Sequence, residues 1–542
     1  GTTGSSKQIG IGDFNIQSVT VWNGTAWSNG EPTSTKSAVI QGDYTTTANL
    51  EAKTLTVDSG VFTIASGTSV TVEGAVVNNA AATNFIVENN GNLLQNATAA
   101  NVGAITVRAN SQPLMRLDYT LWSSPVAGQN LKAFSPNTLS PRFYVYDETA
   151  TTGNSSSNNG TYVTVLNETN EATYNFEAAQ GYLIRTPNTH PTTPTVYNGV
   201  FTGVPQNGNY SATLSAVNAG YNLVGNPYPS SIDLNAFFTG NSAIENTVWF
   251  WRKTNGAAGD GYVTANNLGY TFPGQSADGA TNIGIRSGQG FFVKATGAGT
   301  VSFTNGMRAT NTTSTFFRNA TASETPSRIW LQVANSTEVL ASAFVGYTSA
   351  ATLGVDAGFD SKPFGASSLV SLIGTEGYAI QGRSSFEVTD QVALGFEATT
   401  AGNYSIAIAN KDGVFASGQA IYLQDLAQNI THDFANGAYQ FVSEAGTFNN
   451  RFKMVYENET LGIGDVVANQ AYVYNNNGVL TIASTRDEIK SVVIFDIQGR
   501  VLQSASDVNA NQWQATAMAQ KNQVLLVQVT TTAGVSTTKT VF

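Results

Sequence analysis

Cysteine is absent from the 542 residues, and histidine occurs twice, at His190 and His432. Thiol catalysis, disulfides, iron–sulfur clusters and Cys/His zinc sites are thereby excluded. A Ser-His-Asp site would have to use one of two isolated histidines. Neither has a nucleophile nearby in sequence, and no Gly-x-Ser-x-Gly elbow precedes a helix-like stretch. His190, in Asn188-Thr189-His190-Pro191, and His432, after Ile430-Thr431, read as surface residues rather than bases. No phosphate-binding Walker loop is present, and no Gly-x-Gly-x-x-Gly joins a strand to a helix. Charge is also scarce, at 11% of residues, against about 25% in ordinary soluble domains. The formal charge is −11, and 25 cations spread over this length form no nucleic-acid patch. No apolar run reaches about 18 residues, so no helix is expected to span a membrane. The opening Gly1-Thr2-Thr3-Gly4 carries no basic and apolar leader, as expected if a signal peptide has been removed.

Core-forming material is ample, with 41% hydrophobic and 10% aromatic residues. A chain of this length suggests about three to five domains. Its texture is Thr, Asn, Gly, Ser and Val. Segments such as Ser69-Val70-Thr71-Val72-Glu73 and Ile105-Thr106-Val107-Arg108 alternate with period two, and Gly or Asn clusters punctuate them. Such spacing predicts an all-β, multi-domain protein. Within 1–110, short strands such as Leu55-Thr56-Val57, Phe62-Thr63-Ile64 and Phe85-Ile86-Val87 are separated by Ser59-Gly60, Ser66-Gly67 and Asn89-Asn90-Gly91. One short strand per corner, with corner residues that tolerate positive φ, predicts a β-solenoid-like segment; a hairpin sandwich is the alternative.

Residues 111–310 contain an internal duplication, with copies at about 112–200 and 215–305. Tyr119-Thr120-Leu121-Trp122-Ser123-Ser124-Pro125 matches Tyr221-Asn222-Leu223-Val224-Gly225-Asn226-Pro227. Asn130-Leu131-Lys132-Ala133-Phe134 matches Asp233-Leu234-Asn235-Ala236-Phe237, and both read as short helical turns. Aromatic strands follow at Phe143–Tyr146 and Trp249–Trp251, then Tyr-Val-Thr at Tyr162 and Tyr262. Each copy closes on Gln-Gly and an apolar strand ending in a cation, Gln180–Arg185 and Gln289–Lys294. Residues 325–457 read as a β-sandwich, bounded by linkers at Glu324-Thr325-Pro326 and Asn458–Gly464. Residues 465–542 form a small final β-sandwich.

That last unit carries Val473-Tyr474-Asn475-Asn476-Asn477-Gly478-Val479-Leu480, then Val492-Val493-Ile494-Phe495-Asp496-Ile497-Gln498-Gly499-Arg500, and ends in Thr537-Thr538-Lys539-Thr540-Val541-Phe542. It resembles the C-terminal sorting domain of type IX secretion substrates in Bacteroidota. The resembling motif is Val492, Ile494, Phe495, Asp496, Gly499 and Arg500, with Lys539 in the last strand. Asn475-Asn476-Asn477 stands where Pro-Asn-Pro is common in that family. The resemblance implies export by the type IX translocon to the outer-membrane surface or the extracellular space. The segments Trp22–Pro32 and Asn226-Pro227-Tyr228-Pro229 are similar to those of large repetitive surface proteins exported in the same way.

Independently of the resemblance, alternating Val492/Ile494 and Val493/Phe495 place apolar side chains on both faces of a central strand, and Gly499 supplies a turn. Trp22, Trp27, Trp249 and Trp251 could stack on sugar rings but read as core. Asp233, Asp260, Asp278, Asp356 and Asp360 sit near Gly or Asn in loops. Asp356 and Asp360 are the candidates for Ca2+, although two carboxylates fall short of its six to eight oxygens; no other cofactor is expected. Lys7–Val21 alternates through Ile9, Ile11, Phe14 and Ile16, an arrangement suited to strand exchange with a neighbouring copy. The sequence therefore reads as a non-enzymatic, secreted structural or adhesive protein, a subunit of an extracellular filament or surface layer. Its expected partners are the translocon, copies of itself and other surface proteins. A carbohydrate-binding surface protein, and a polysaccharide hydrolase whose paired carboxylates sequence cannot reveal, are the alternatives.

Overall fold

A computed structural model describes residues 18–150, 160–253, 255, 261–271, 284–310, 327–457, 471–476, 479–484, 487–516, 523–532 and 534–542. The chain divides into two compact units, Gly1–Asn458 and Glu459–Phe542. Both linker expectations lie outside the described residues. The architecture is all-β, with short helices at Leu131–Phe134 and Leu234–Thr239, the two segments whose sequences read as helical turns.

The larger unit begins as a three-sided parallel β-solenoid. Strands Val19–Trp22, Ser37–Ile40, Leu55–Val57 and Val76–Asn78 stack on one side. A second side stacks Tyr44–Thr45, Phe62–Ile64, Phe85–Val87 and Ile105–Leu114. The third stacks Leu50–Ala52, Ser69–Val72 and Asn92–Gln95. Because alternate strand residues point inward, each turn adds like to like: Leu55 lies between Ala38 and Val76, and Phe62 beside Phe85, all fully buried. Corners are tight. At one of them Gly24, Gly42 and Gly60 stack, and a Cβ on Gly60 would fall 2.4 Å from the backbone carbon of Gly42. Gly60, Gly67 and Asn90 hold positive φ at 74°, 81° and 64°. The Asn78-Asn79 corner works differently. The buried Asn78 side chain donates to the carbonyls of Ala81 and Ala104, and Asn79 Nδ2 donates to Asp58 of the preceding turn at 2.8 Å.

The solenoid does not end as a separate body. Its strand Ile105–Leu114 accepts the antiparallel strand Thr195–Pro205, with Ile105 opposite Gly203. Through this shared sheet it runs into two four-stranded sheets of the same strand order. The first runs Tyr119–Trp122, Tyr182–Arg185, Phe143–Asp147, Thr161–Thr164. The second runs Tyr221–Gly225, Gly290–Ala295, Ile244–Arg252, Gly261–Ala265. Register matches as well: Leu121 faces Leu183 as Leu223 faces Phe292, and Tyr146 faces Tyr162 as Trp251 faces Tyr262. Both short helices are capped alike, Asn130 Oδ1 accepting from Ala133 N and Asp233 Oδ1 from Ala236 N.

Residues 327–457 form a sandwich. A five-stranded sheet built on Ser327–Asn335, Val339–Tyr347 and Gly402–Lys411 packs on a six-stranded sheet built on Gln391–Ala398 and Gly446–Val455. The second compact unit is itself a small sandwich. Its three-stranded sheet, with Val479–Ser484, contributes Leu480 and Ile482 to a core shared with Val492, Ile494 and Val527 of its four-stranded sheet.

Candidate functional site

The open end of the solenoid is one site. Its first turn carries three sheet-edge strands. The outer edge of Val19–Trp22 is covered by its own loop, where Ser28 N donates to the Val21 carbonyl and Val21 N donates to Ser28 Oγ, while Tyr44–Thr45 and Leu50–Ala52 are each paired on one side only among the described residues. An edge strand carries unused backbone donors and acceptors that a further strand can engage. Aromatic rings close the core behind these edges. Trp22 and Trp27 pack at 5.5 Å, each meets Tyr44, and Tyr44 continues through Phe62 to Phe85. Trp22 Nε1 donates to the carbonyl of Asp43 at 2.8 Å. These tryptophans are therefore partly buried packing elements. The candidate exchange residues Ile9, Ile11, Phe14 and Ile16 lie outside the described residues.

Between the two repeat sheets lies a second core, built from matching positions of each copy. Leu121, Leu223, Trp249 and Phe292 are buried there, with Tyr146, Tyr162, Leu183, Trp251 and Tyr262 packed around them. The Tyr162 and Tyr262 hydroxyls approach to 3.4 Å, and burial pushes both phenols above their ordinary range. The contacts are reciprocal. Trp122 bridges to Gln289, and its counterpart Val224 bridges to Gln180. The conserved spacing of Gln-Gly in both copies has its reason here. A Cβ on Gly181 would lie 2.5 Å from the Val224 carbonyl oxygen, and one on Gly290 would lie 3.0 Å from that of Trp122. The sandwich inserts Phe364 into the same core, 4.1 Å from Tyr262 and 4.5 Å from Tyr221 between ring centres. Glu148 ties the copies at the rim. Burial alone would raise its carboxyl, but the Ser215 hydroxyl and the N–H groups of Gly220, Asn218 and Val217 hold it below the ordinary value.

The loop acids are hydrogen-bonded into their own turns. Asp356 Oδ2 accepts from Thr352 N and its hydroxyl, while Asp360 accepts from Asp356 N and from Gly382 N at 2.8 Å. Burial raises the Asp360 carboxyl to about 6, above the value of a free aspartate. Asp233 is the helix cap already described, and Asp260 and Asp278 lie outside the described residues. No cluster of three or more His, Cys, Asp or Glu able to hold a metal occurs among the described residues. His190 is not a surface residue: it is buried, with Nε2 2.9 Å from Leu114 O and 3.1 Å from Thr195 O. Both neighbours are carbonyls, so this nitrogen carries the proton and donates. The loop at 188–191 reads as a surface position, but the ends of Ile105–Leu114 and Thr195–Pro205 supply the carbonyls that enclose the ring. His432 Nε2 lies 2.9 Å from Gly437 O.

In the small unit, Val492 and Ile494 are fully buried on the inner face of a central strand, and Phe495 is half-buried on the other. Asp496 organises the following turn. Its Oδ1 accepts from Gln498 N and Arg500 N, its Oδ2 accepts from Arg500 Nε at 2.7 Å, and Gly499 takes φ 81°. Together these groups make a closed Asx-type turn between strands. Lys539 is exposed on Gly534–Val541, an edge strand paired to Val524–Thr531.

A family model described as Domain of unknown function (DUF8693) matches residues 14–456, and a second, Domain of unknown function (DUF8694), matches residues 461–542. The chain is also similar to the minor fimbrium subunit Mfa5 of Porphyromonas gingivalis, 26% identical over 323 residues. That similarity covers 51% of this chain and 25% of the relative, so the chain spans about a quarter of the relative's length.

Proposed function

The chain belongs to the DUF8693 family, and we propose that it is a non-enzymatic structural or adhesive subunit of an extracellular filament or surface layer. The observation that carries this reading is the open solenoid end, where the edge strands Tyr44–Thr45 and Leu50–Ala52 are each paired on one side only among the described residues. Similarity to a fimbrium subunit supports a cell-surface role for a chain that is all-β. The mechanism is strand exchange. The segment with Ile9, Ile11, Phe14 and Ile16 adds to an exposed edge of the next copy, its backbone groups extending that copy's ladder. Because donor and acceptor are different surfaces, the contact repeats head to tail and grows an open polymer.

Residues 465–542 are the export address in this reading, recognised by the type IX translocon. The buried Val492 and Ile494 and the closed turn from Asp496 to Arg500 support a stable, self-contained sandwich. Negative-stain microscopy of the purified chain tests the structural role. Regular polymers of one width support it, and a monodisperse particle at high concentration refutes it.

A further inference from the structure

We propose that a cavity at the junction of the solenoid and the repeat pair binds a carboxylated sugar. The cavity holds about 240 Å³. One wall is the solenoid corner Asn89–Asn92 with the strand Ile105–Leu114, and the facing wall is the second repeat, from Phe250 to Arg252 and from Gly284 to Gly290. Leu121 and Trp122 of the first repeat form part of the lining.

The ligand class follows from which polar groups remain available. Among the described residues no aspartate or glutamate lines the cavity, whereas Arg108, Arg252 and Arg286 do. Arg108 is already paired with Glu88 at 2.7 Å. The Arg286 guanidinium is exposed and makes no ion pair among the described residues. Three of the lining amide side chains lean in the same direction, because each oxygen already accepts a hydrogen bond. Asn89 Oδ1 accepts from Asn110 N at 2.9 Å, Gln112 Oε1 from Lys253 N at 3.2 Å, and Gln289 Oε1 from Arg286 N at 3.0 Å. On each, the NH2 group remains to donate two hydrogen bonds, against a single lone pair left on the oxygen. A described lining rich in donors and cations favours a ligand that is rich in acceptors and carries negative charge.

Trp251 adds the apolar component. Its indole N–H is spent on the Tyr119 carbonyl at 3.0 Å, so it offers the lining ring carbon rather than a donor. A sugar ring meets this combination: its C–H face packs on an aromatic ring, its hydroxyls accept from the amides, and its carboxylate pairs with Arg286. An acidic peptide also brings acceptors to these donors, but it lacks the rigid C–H face that a sugar ring lays on Trp251.

The test uses the intact chain and calorimetric titration with sialyllactose and a galacturonic acid trimer, against lactose and a polyglutamate peptide. At least one carboxylated sugar should bind while lactose and polyglutamate do not. Arg286→Gln should weaken that binding about tenfold or more, as loss of a charge-assisted bond requires, and Gln112→Ala should weaken it several-fold. Arg286 is exposed, so its variant should melt with the parent, which separates lost binding from lost folding. Failure of both carboxylated sugars to bind, equal binding of lactose, preference for polyglutamate, or an unchanged affinity in Arg286→Gln would each overturn the proposal. None of these results bears on polymer formation.

Discussion

Replacing Asp425 by asparagine should loosen the large sandwich by about 3–5 kcal/mol, because it strands a buried guanidinium. Asp425 is 0% exposed at its side chain and Arg451 is 8% exposed, with Arg451 Nη2 2.8 Å from Asp425 Oδ2. The pair joins neighbouring strands of the six-stranded sheet and reaches across to Tyr439–Ser443 of the five-stranded one. Arg451 also donates to the Val442 carbonyl, its guanidinium lies 4.7 Å from the Phe441 ring centre and 4.8 Å from that of Phe452, and Tyr439 donates its hydroxyl to Asp425. Arg451→Met should cost a similar amount by leaving the carboxylate alone. The double variant removes both charges and strands only neutral polar groups, at about 1–3 kcal/mol. It should therefore be more stable than either single variant. Hydrogen exchange of amides in 422–455 reads this locally in the intact chain, each 1.4 kcal/mol appearing as about a tenfold faster exchange.

The pH dependence has a definite sign. Burial pushes the Asp425 carboxyl up, but the Arg451 bond outweighs it and holds the group below its ordinary value. Its contribution is present above the unfolded carboxylate range and is lost as pH falls through the lower folded value. Acid should thus weaken the parent in this window and leave Asp425→Asn nearly flat. Single-variant costs under about 1 kcal/mol, typical of exposed pairs, would refute the reasoning, as would a double variant as weak as the two singles combined.

Gly181→Ala should disrupt docking of the two repeats, since its Cβ meets a backbone oxygen that no rotamer can move aside; near-ultraviolet circular dichroism of the tryptophan and tyrosine core should lose intensity. Gly297→Ala is the control, because its Cβ meets nothing within 4 Å. Deleting residues 465–542 should abolish surface display while the remaining chain keeps its melting transition, and normal display would contradict the export role.

Local patterning carried most of the fold. Period-two strands and Gly or Asn corners are properties of a few adjacent residues, so the solenoid turns at Leu55, Phe62 and Phe85 were readable. Ordered motifs likewise exposed two sheets of one strand order, from Tyr119 and from Tyr221. Long-range contacts were not readable. Nothing adjacent to Phe364 marks it as an insertion between repeats, and nothing near Asp425 points to Arg451. His190 was misplaced for the same reason, because its burial depends on carbonyls at Leu114 and Thr195. The cavity was equally hidden, since its lining joins residues from Asn89 to Gly290. Part of its signal is the commitment of the Asn89 and Gln112 oxygens to the distant N–H groups of Asn110 and Lys253, which sequence spacing does not show.

The most direct test of the assembly mechanism compares the intact chain with one lacking residues 1–17, by sedimentation velocity and negative-stain microscopy at matched concentrations. Strand exchange predicts polymers from the intact chain and monomers from the shortened one, with the solenoid and repeat cores still folded. A shortened chain that assembles as well as the intact one, or an intact chain that stays monomeric at every concentration, would contradict it.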